Sequence, residues 1–115
     1  TTDYAVEAYY EAIRTGNYTA FLREDSRLPM MYMPDCLRAT KELLIADNST
    51  LTQRVYNINA MSFTPLELAD SIRKHYPDFD LKCEPDFRQA IADTWPDEMD
   101  DSPARKDWGW KHDYG

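Results

Sequence analysis

Polar and apolar residues alternate along this chain in short segments whose period switches between helical and extended. Asp3 is placed to cap a first helix, in which Val6, Tyr9, Tyr10 and Ile13 fall on one apolar face and Gly16 marks the end. Tyr18 to Leu22 reads as a short strand, and Leu28 to Met33 as an apolar run of strand length. Asp35 follows Pro34 and is expected to cap a second helix, with Leu37, Thr40, Leu43 and Leu44 on its buried face. Val55 to Ile58 reads as another strand. Thr64-Pro65-Leu66-Glu67 is a full helix-start signal: Thr at the cap, Pro at the first turn, Glu three residues on. Leu68, Ala69 and Ile72 continue that stripe, which should end before Pro77. Phe79 to Cys83 alternates like a strand. Phe87 to Trp95 predicts a short helix stopped by Pro96, and Ser102 is expected to cap a last one with Pro103 at its first position and Gly109 at its end. The order α-β-β-α-β-α-β-α-α predicts a mixed α/β chain.

Composition narrows what such a chain can be. Its 115 residues suffice for one domain of ordinary size, and 43% hydrophobic with 13% aromatic residues can fill a core. No apolar run approaches the roughly 18 residues of a membrane span. Lys and Arg total 13 against 21 Asp and Glu, a net charge of −8, so a phosphate backbone would be repelled. Two cysteines and two histidines, all scattered, make neither a disulfide framework nor a zinc site. The three glycines are Gly16, Gly109 and Gly115, and no arrangement of them forms a phosphate-cradling loop. No tyrosine has a lysine four residues later, and no serine sits in a nucleophile elbow.

Few residues then remain for chemistry. Cys36 near a helix start reads most simply as a small buried residue, and His75 and His112 have no catalytic partner in view. The acidic group Asp93, Asp97, Glu98, Asp100 and Asp101 lacks the spacing of a calcium loop and reads as a solvated face. Met30, Met31 and Met33 read as core filler. Arg27 opens an apolar strand, where a guanidinium can meet a carboxylate or phosphate, or simply pair with Glu24 or Asp25. Trp95 is placed either to wall a small-molecule pocket or to fill a core. Thr1 and Thr2 offer hydroxyls and amides at a helix start, a weak anion signal.

Several strings carry a resemblance. They are Thr1-Thr2-Asp3-Tyr4-Ala5-Val6, the run from Arg27-Leu28-Pro29-Met30-Met31-Tyr32-Met33-Pro34-Asp35 to Thr40, Tyr56 to Pro65, Arg88-Gln89-Ala90-Ile91-Ala92-Asp93-Thr94-Trp95-Pro96, and Asp100 to His112. Together they resemble the C-terminal part of the short-chain-type L-threonine 3-dehydrogenases, which are extended, epimerase-like short-chain dehydrogenases. The resemblance covers essentially all 115 residues.

It implies an α/β substrate-binding lobe of a Rossmann-like enzyme, with the nucleotide-binding half absent and residues 1–115 truncated at both ends. It implies oxidation of L-threonine to 2-amino-3-oxobutanoate with NAD, the catalytic tyrosine–lysine pair and the NAD cradle lying upstream. No catalytic or cofactor-binding residue is then expected in this chain. Thr1 and Thr2 match the stretch that lines the substrate site, and Trp95 the tryptophan that covers the substrate. Arg27 matches an arginine that approaches a diphosphate in sugar-nucleotide relatives. A homodimer is implied, joined mainly by helices of the missing half. The compartment would be the cytoplasm in a bacterium or the mitochondrial matrix in an animal or protist. The alternatives are a stand-alone remnant that binds a ligand or partner without catalysis, and the lobe of a UDP-sugar epimerase. A lobe cut from its other half is expected to expose an apolar patch, to be marginally stable on its own, or to associate.

Overall fold

The computed structural model describes residues 3–115, so Thr1 and Thr2 lie outside the described residues. Nine elements follow in the order α1 (Tyr4–Arg14), β1 (Asn17–Ala20), β2 (Leu28–Met30), α2 (Met33–Ile45), β3 (Met61–Phe63), α3 (Pro65–Arg73), β4 (Asp80–Cys83), α4 (Phe87–Ala92) and α5 (Ser102–Trp108). The chain forms two compact units. One comprises residues 1–28 and 63–95, the other residues 29–62 and 96–115. β2 and β3 pair as a two-stranded sheet.

In the first unit, β1 and β4 pair in parallel, Asn17 opposite Asp80 and Ala20 opposite Cys83. The Asp3 carboxylate caps α1 by accepting the Ala5 N–H at 3.0 Å. Gly16, at φ 77°, takes the left-handed turn that ends it, and its N–H reaches the Glu11 carbonyl at 3.0 Å. The expected apolar face of α1 is not the one that packs. Tyr4, Ala8 and Ala12 are buried, while Val6, Tyr9, Tyr10 and Ile13 are 46–70% exposed. Small alanines let the helix backbone approach β1 and α3 closely, and the bulky side chains are left outside. α3 starts as its signal requires: Thr64 Oγ1 accepts from the Glu67 N–H at 3.2 Å, and Glu67 accepts from the Thr64 N–H at 3.1 Å. Leu68, Ala69 and Ile72 are buried beneath it, with Leu22 and Phe79.

The second unit corrects more of the sequence reading. Met33 belongs to α2, not to a strand, because Pro34 is accommodated in the first turn and Tyr32 takes the cap position. Asp35 therefore lies inside the helix and caps nothing of its own. Only Asp35 and Ala39 of α2 are buried; Leu37, Thr40 and Leu44 are exposed and Leu43 half-buried. Val55 to Ile58 is irregular, and the strand lies later, at β3. At α5, Asp101 takes the cap place expected of Ser102, which lies inside the helix. Met30 and Met31 are half-buried, while Met33 is exposed. The apolar centre is small: Ala39, Ala104 and Trp110, with Met31, Tyr56, Ile58 and Trp108 packed on it.

Three aspartates tie loops to helices around that centre. Asp35, 1% exposed, accepts the backbone N–H groups of Asp113 and Tyr114 at 3.0 Å and an Arg38 guanidinium N–H at 3.0 Å. Asp107 accepts from the Thr52 hydroxyl and the Tyr56 hydroxyl, each at 2.6 Å. Asp101, read from sequence as part of a solvated acidic face, is buried and accepts from the Asn59 N–H and from Arg105. Ordering these irregular segments demands fixed partners for their backbone groups, and the aspartates supply them.

Candidate functional site

The residues singled out from sequence divide between the described and the undescribed. Thr1 and Thr2 fall outside the described residues. Arg27 and Trp95 both belong to the first unit.

Arg27 stands just before β2 and reaches Glu67 Oε1 at 2.5 Å. Among the described carboxylates, the ion pair it makes is with Glu67 rather than with Glu24 or Asp25. Glu67 already closes the start of α3, so the ion pair fastens the strand entry to that helix. The Arg27 guanidinium and the Thr64 N–H together hold the Glu67 carboxyl below its usual range. Trp95 follows α4 in a tight turn, its N–H bonded to the Ala92 carbonyl at 3.0 Å. It is 56% exposed, which excludes the core-tryptophan reading for this chain. Phe87 and Ile91 precede it at four-residue steps and are exposed as well.

Sequence reasoning missed what lies between these two positions. Gln89, in α4, is 6% exposed. Its Oε1 accepts the Arg23 N–H at 2.7 Å, and its Nε2 donates to Ser26 Oγ at 3.2 Å and to Asp93 Oδ1 at 2.7 Å. Asp93 in turn pairs with the Arg23 guanidinium at 3.0 Å. Arg23 and Gln89 together keep the Asp93 carboxyl below its usual range. One buried amide therefore joins the segment that leads into Arg27 to the turn that presents Trp95. No local signal marks Gln89; its three partners come from 4, 63 and 66 residues away.

The remaining candidates stay as bland as their sequence setting. Cys36 and Cys83 are free and half-buried, and burial pushes the Cys83 thiol up. His75 is exposed at the end of α3, and His112 is half-buried. No group of three or more His, Cys, Asp or Glu among the described residues could hold a metal ion. Gly16 and Gly109 are both spent on helix ends, with φ 77° and 74°. These residues do not fit a dinucleotide cradle, which needs glycine amides converging on a pyrophosphate.

No family model matches the chain. Individual proteins do. The mitochondrial L-threonine 3-dehydrogenase of Bos taurus is 56% identical over 115 residues, 99% of this chain but 31% of that protein. The crystal structure of L-threonine dehydrogenase from Phytophthora infestans superposes with a TM-score of 0.95 at 59% identity, over 97% of this chain and 36% of that one. The GalE-like L-threonine dehydrogenase from Cupriavidus necator, in its apo form, gives 0.95 at 55% identity, over 98% and 41%.

In its α/β architecture the chain matches part of the L-threonine dehydrogenase structures, one of them described as GalE-like. More particularly, it matches the C-terminal third of L-threonine 3-dehydrogenases, and it spans between 31% and 41% of the length of these three relatives. No helix among the described residues is long and apolar enough to cross a membrane.

Proposed function

We propose that this chain is the substrate lobe of an NAD-dependent L-threonine 3-dehydrogenase, which oxidises the 3-hydroxyl of L-threonine to give 2-amino-3-oxobutanoate. The observation that carries the reading is the pairing of 55–59% identity with TM-scores of 0.95 over nearly the whole chain. NAD and the groups that move the proton are assigned to the remainder of the full-length protein, in keeping with Gly16 and Gly109 being used to end helices here. This chain contributes Thr1 and Thr2 to hold the amino acid and Trp95 to cover it. An exposed tryptophan at the end of a rigidly bonded turn is suited to that task. Arg27 is assigned a structural part, because Glu67 already neutralises it. The full-length protein is a homodimer, cytoplasmic in a bacterium and mitochondrial in an animal or protist.

The test is NADH formation by the full-length protein. Threonine-dependent reduction of NAD is expected, with none by the 115-residue chain alone. Trp95→Ala should raise KM for threonine about tenfold or more, the effect of losing roughly 1.4 kcal/mol of binding, with a smaller change in kcat. Turnover of UDP-sugars without turnover of threonine would overturn the reading.

A further inference from the structure

Trp95 is held by its turn and not by packing around its ring. The side chain is left largely exposed, while the backbone that leads to it is bonded at every step. The Asp93 N–H reaches the Gln89 carbonyl at 2.9 Å, the Thr94 N–H the Ile91 carbonyl at 3.0 Å, and the Trp95 N–H the Ala92 carbonyl at 3.0 Å. Thr94 Oγ1 also donates to the Ile91 carbonyl at 2.7 Å. Pro96 narrows the choice further, because the residue before a proline avoids helical backbone. A turn so constrained has one shape, and where Trp95 stands depends on where that turn is anchored.

The anchor is Asp93. It occupies the C-terminal cap of α4, where a carboxylate meets the negative end of the helix dipole, so the helix itself gains nothing from an acid there. Its bonds lead elsewhere. Oδ1 accepts from Arg23 Nη2 at 3.0 Å and from Gln89 Nε2 at 2.7 Å, and Oδ2 accepts from Arg23 Nη1 at 3.3 Å. Gln89 completes the tie by accepting the Arg23 N–H at 2.7 Å and donating to the buried Ser26 hydroxyl at 3.2 Å. The arrangement lies wholly within the first unit and fastens the turn to the segment after β1. It requires an amide: one end accepts from an N–H while the other donates to a carboxylate, which neither an ionised acid nor an aliphatic chain can do.

We propose that Gln89 and Asp93 are positioning residues for the amino-acid site: they fix the Trp95 turn against the segment after β1, so that the indole stands in place before the substrate arrives. The proposal rests on the reading that Trp95 covers threonine. It goes beyond that reading by placing the fit of the cover in two residues that act through Trp95. Holding the cover in advance spares the substrate the cost of ordering it.

A double-mutant cycle in the full-length protein tests this, with KM and kcat for threonine as readouts. Asp93 is exposed, so Asp93→Ala cuts the tie without opening the core. It should raise KM several-fold with a smaller change in kcat. Added to Trp95→Ala it should raise KM no further, because the cover it positions is gone. Gln89→Glu supplies a conservative rescue. At about pH 8 its carboxylate meets that of Asp93 and KM should be raised; toward about pH 6 a proton shared by the two acids restores the donor, and KM should approach the parent value. Arg23, which pairs with both Asp93 and Asp25, is the cation bonded into this cluster, and Arg88 is engaged by Asp86. An unchanged KM for Asp93→Ala would overturn the proposal, and so would a rise that adds in full to that of Trp95→Ala. A Gln89→Glu enzyme whose KM relative to the parent does not vary with pH would count equally against it. If Trp95→Ala raises KM and Asp93→Ala does not, this inference falls alone; if Trp95→Ala itself leaves KM unchanged, the assignment of Trp95 falls and takes this inference with it.

Discussion

The two units solve the same problem by different means. In the first, regular elements bury aliphatic and aromatic side chains: Leu22, Leu68, Ile72 and Phe79 are each 7% exposed or less. In the second, the apolar centre is little more than Trp110 between two alanines, and carboxylates fasten the irregular segments. The difference follows from backbone bookkeeping. Helices and paired strands satisfy their own N–H and C=O groups, whereas the long stretch between α2 and β3 must find partners elsewhere. Asp107 and Asp101 are such partners for Thr52 and Asn59, and Asp35 serves the N–H groups of Asp113 and Tyr114 after α5 in the same way. A unit held this way depends on a few residues, each with several bonds to lose.

Truncating Trp110 should break the second unit most severely. The ring is 2% exposed, its Nε1 donates to the Asn59 carbonyl at 3.1 Å, and the Arg38 guanidinium lies 4.8 Å from its centre. Trp110→Ala is expected to cost about 3–5 kcal/mol, read by denaturant unfolding of the full-length protein. A loss no larger than that of a surface change would deny that one ring organises the unit.

In the first unit, Gln89→Leu keeps the bulk but takes the acceptor from the part-buried Arg23 N–H and the donor from the buried Ser26 hydroxyl. A loss of about 1–3 kcal/mol is expected, and, on the function proposed above, KM for threonine should rise as the Trp95 turn loosens. An unchanged KM would limit Gln89 to stability. Thr64→Ala removes one half of the α3 start and should cost about 1 kcal/mol by the same unfolding measurement. A cost near that of Trp110→Ala would erase the contrast between the units.

Acid is the gentlest probe. Burial alone would raise the Asp35 carboxyl, but the Tyr114 and Asp113 N–H groups and Arg38 outweigh it and hold it below the ordinary range. The Thr52 and Tyr56 bonds hold Asp107 low in the same way. A carboxyl lowered on folding stabilises the fold above its unfolded pKa, near 4, and that contribution is lost as pH falls through the folded value. Tryptophan fluorescence from the second unit should therefore begin to change below about pH 4. A flat signal from pH 5 to 2 would remove these aspartates from the account.

What was legible in the sequence were features whose cause is local. The Thr64–Glu67 signal, the Asp3 cap and the glycines ending α1 and α5 each depend on neighbours within about one helical turn. The errors arose where size or distance decided. Periodicity located an apolar face on α1, but close packing chose the alanine face instead. Asp35 looked like a cap because aspartate usually is one there; its real partners lie 78 and 79 residues on. For Thr1, Thr2, Trp95 and Arg27 the residues offer only weak local signals, and it is the family resemblance that suggests their roles, since a lone tryptophan or arginine carries no local mark of its task. Gln89 was invisible for the same reason.

The interleaving of the two units has a consequence for biosynthesis. The first unit is begun by residues 1–28 and completed only by residues 63–95, while the second is begun by residues 29–62 and waits for residues 96–115. A ribosome releasing this chain in order cannot finish either unit before starting the other. The first must close around a looped-out stretch still lacking its own centre, since Trp110 is made only after residues 63–95. A nascent chain stalled between Trp95 and Trp110 would thus present one finished unit trailing one unfinished one, a form that quality-control proteases and chaperones are built to notice.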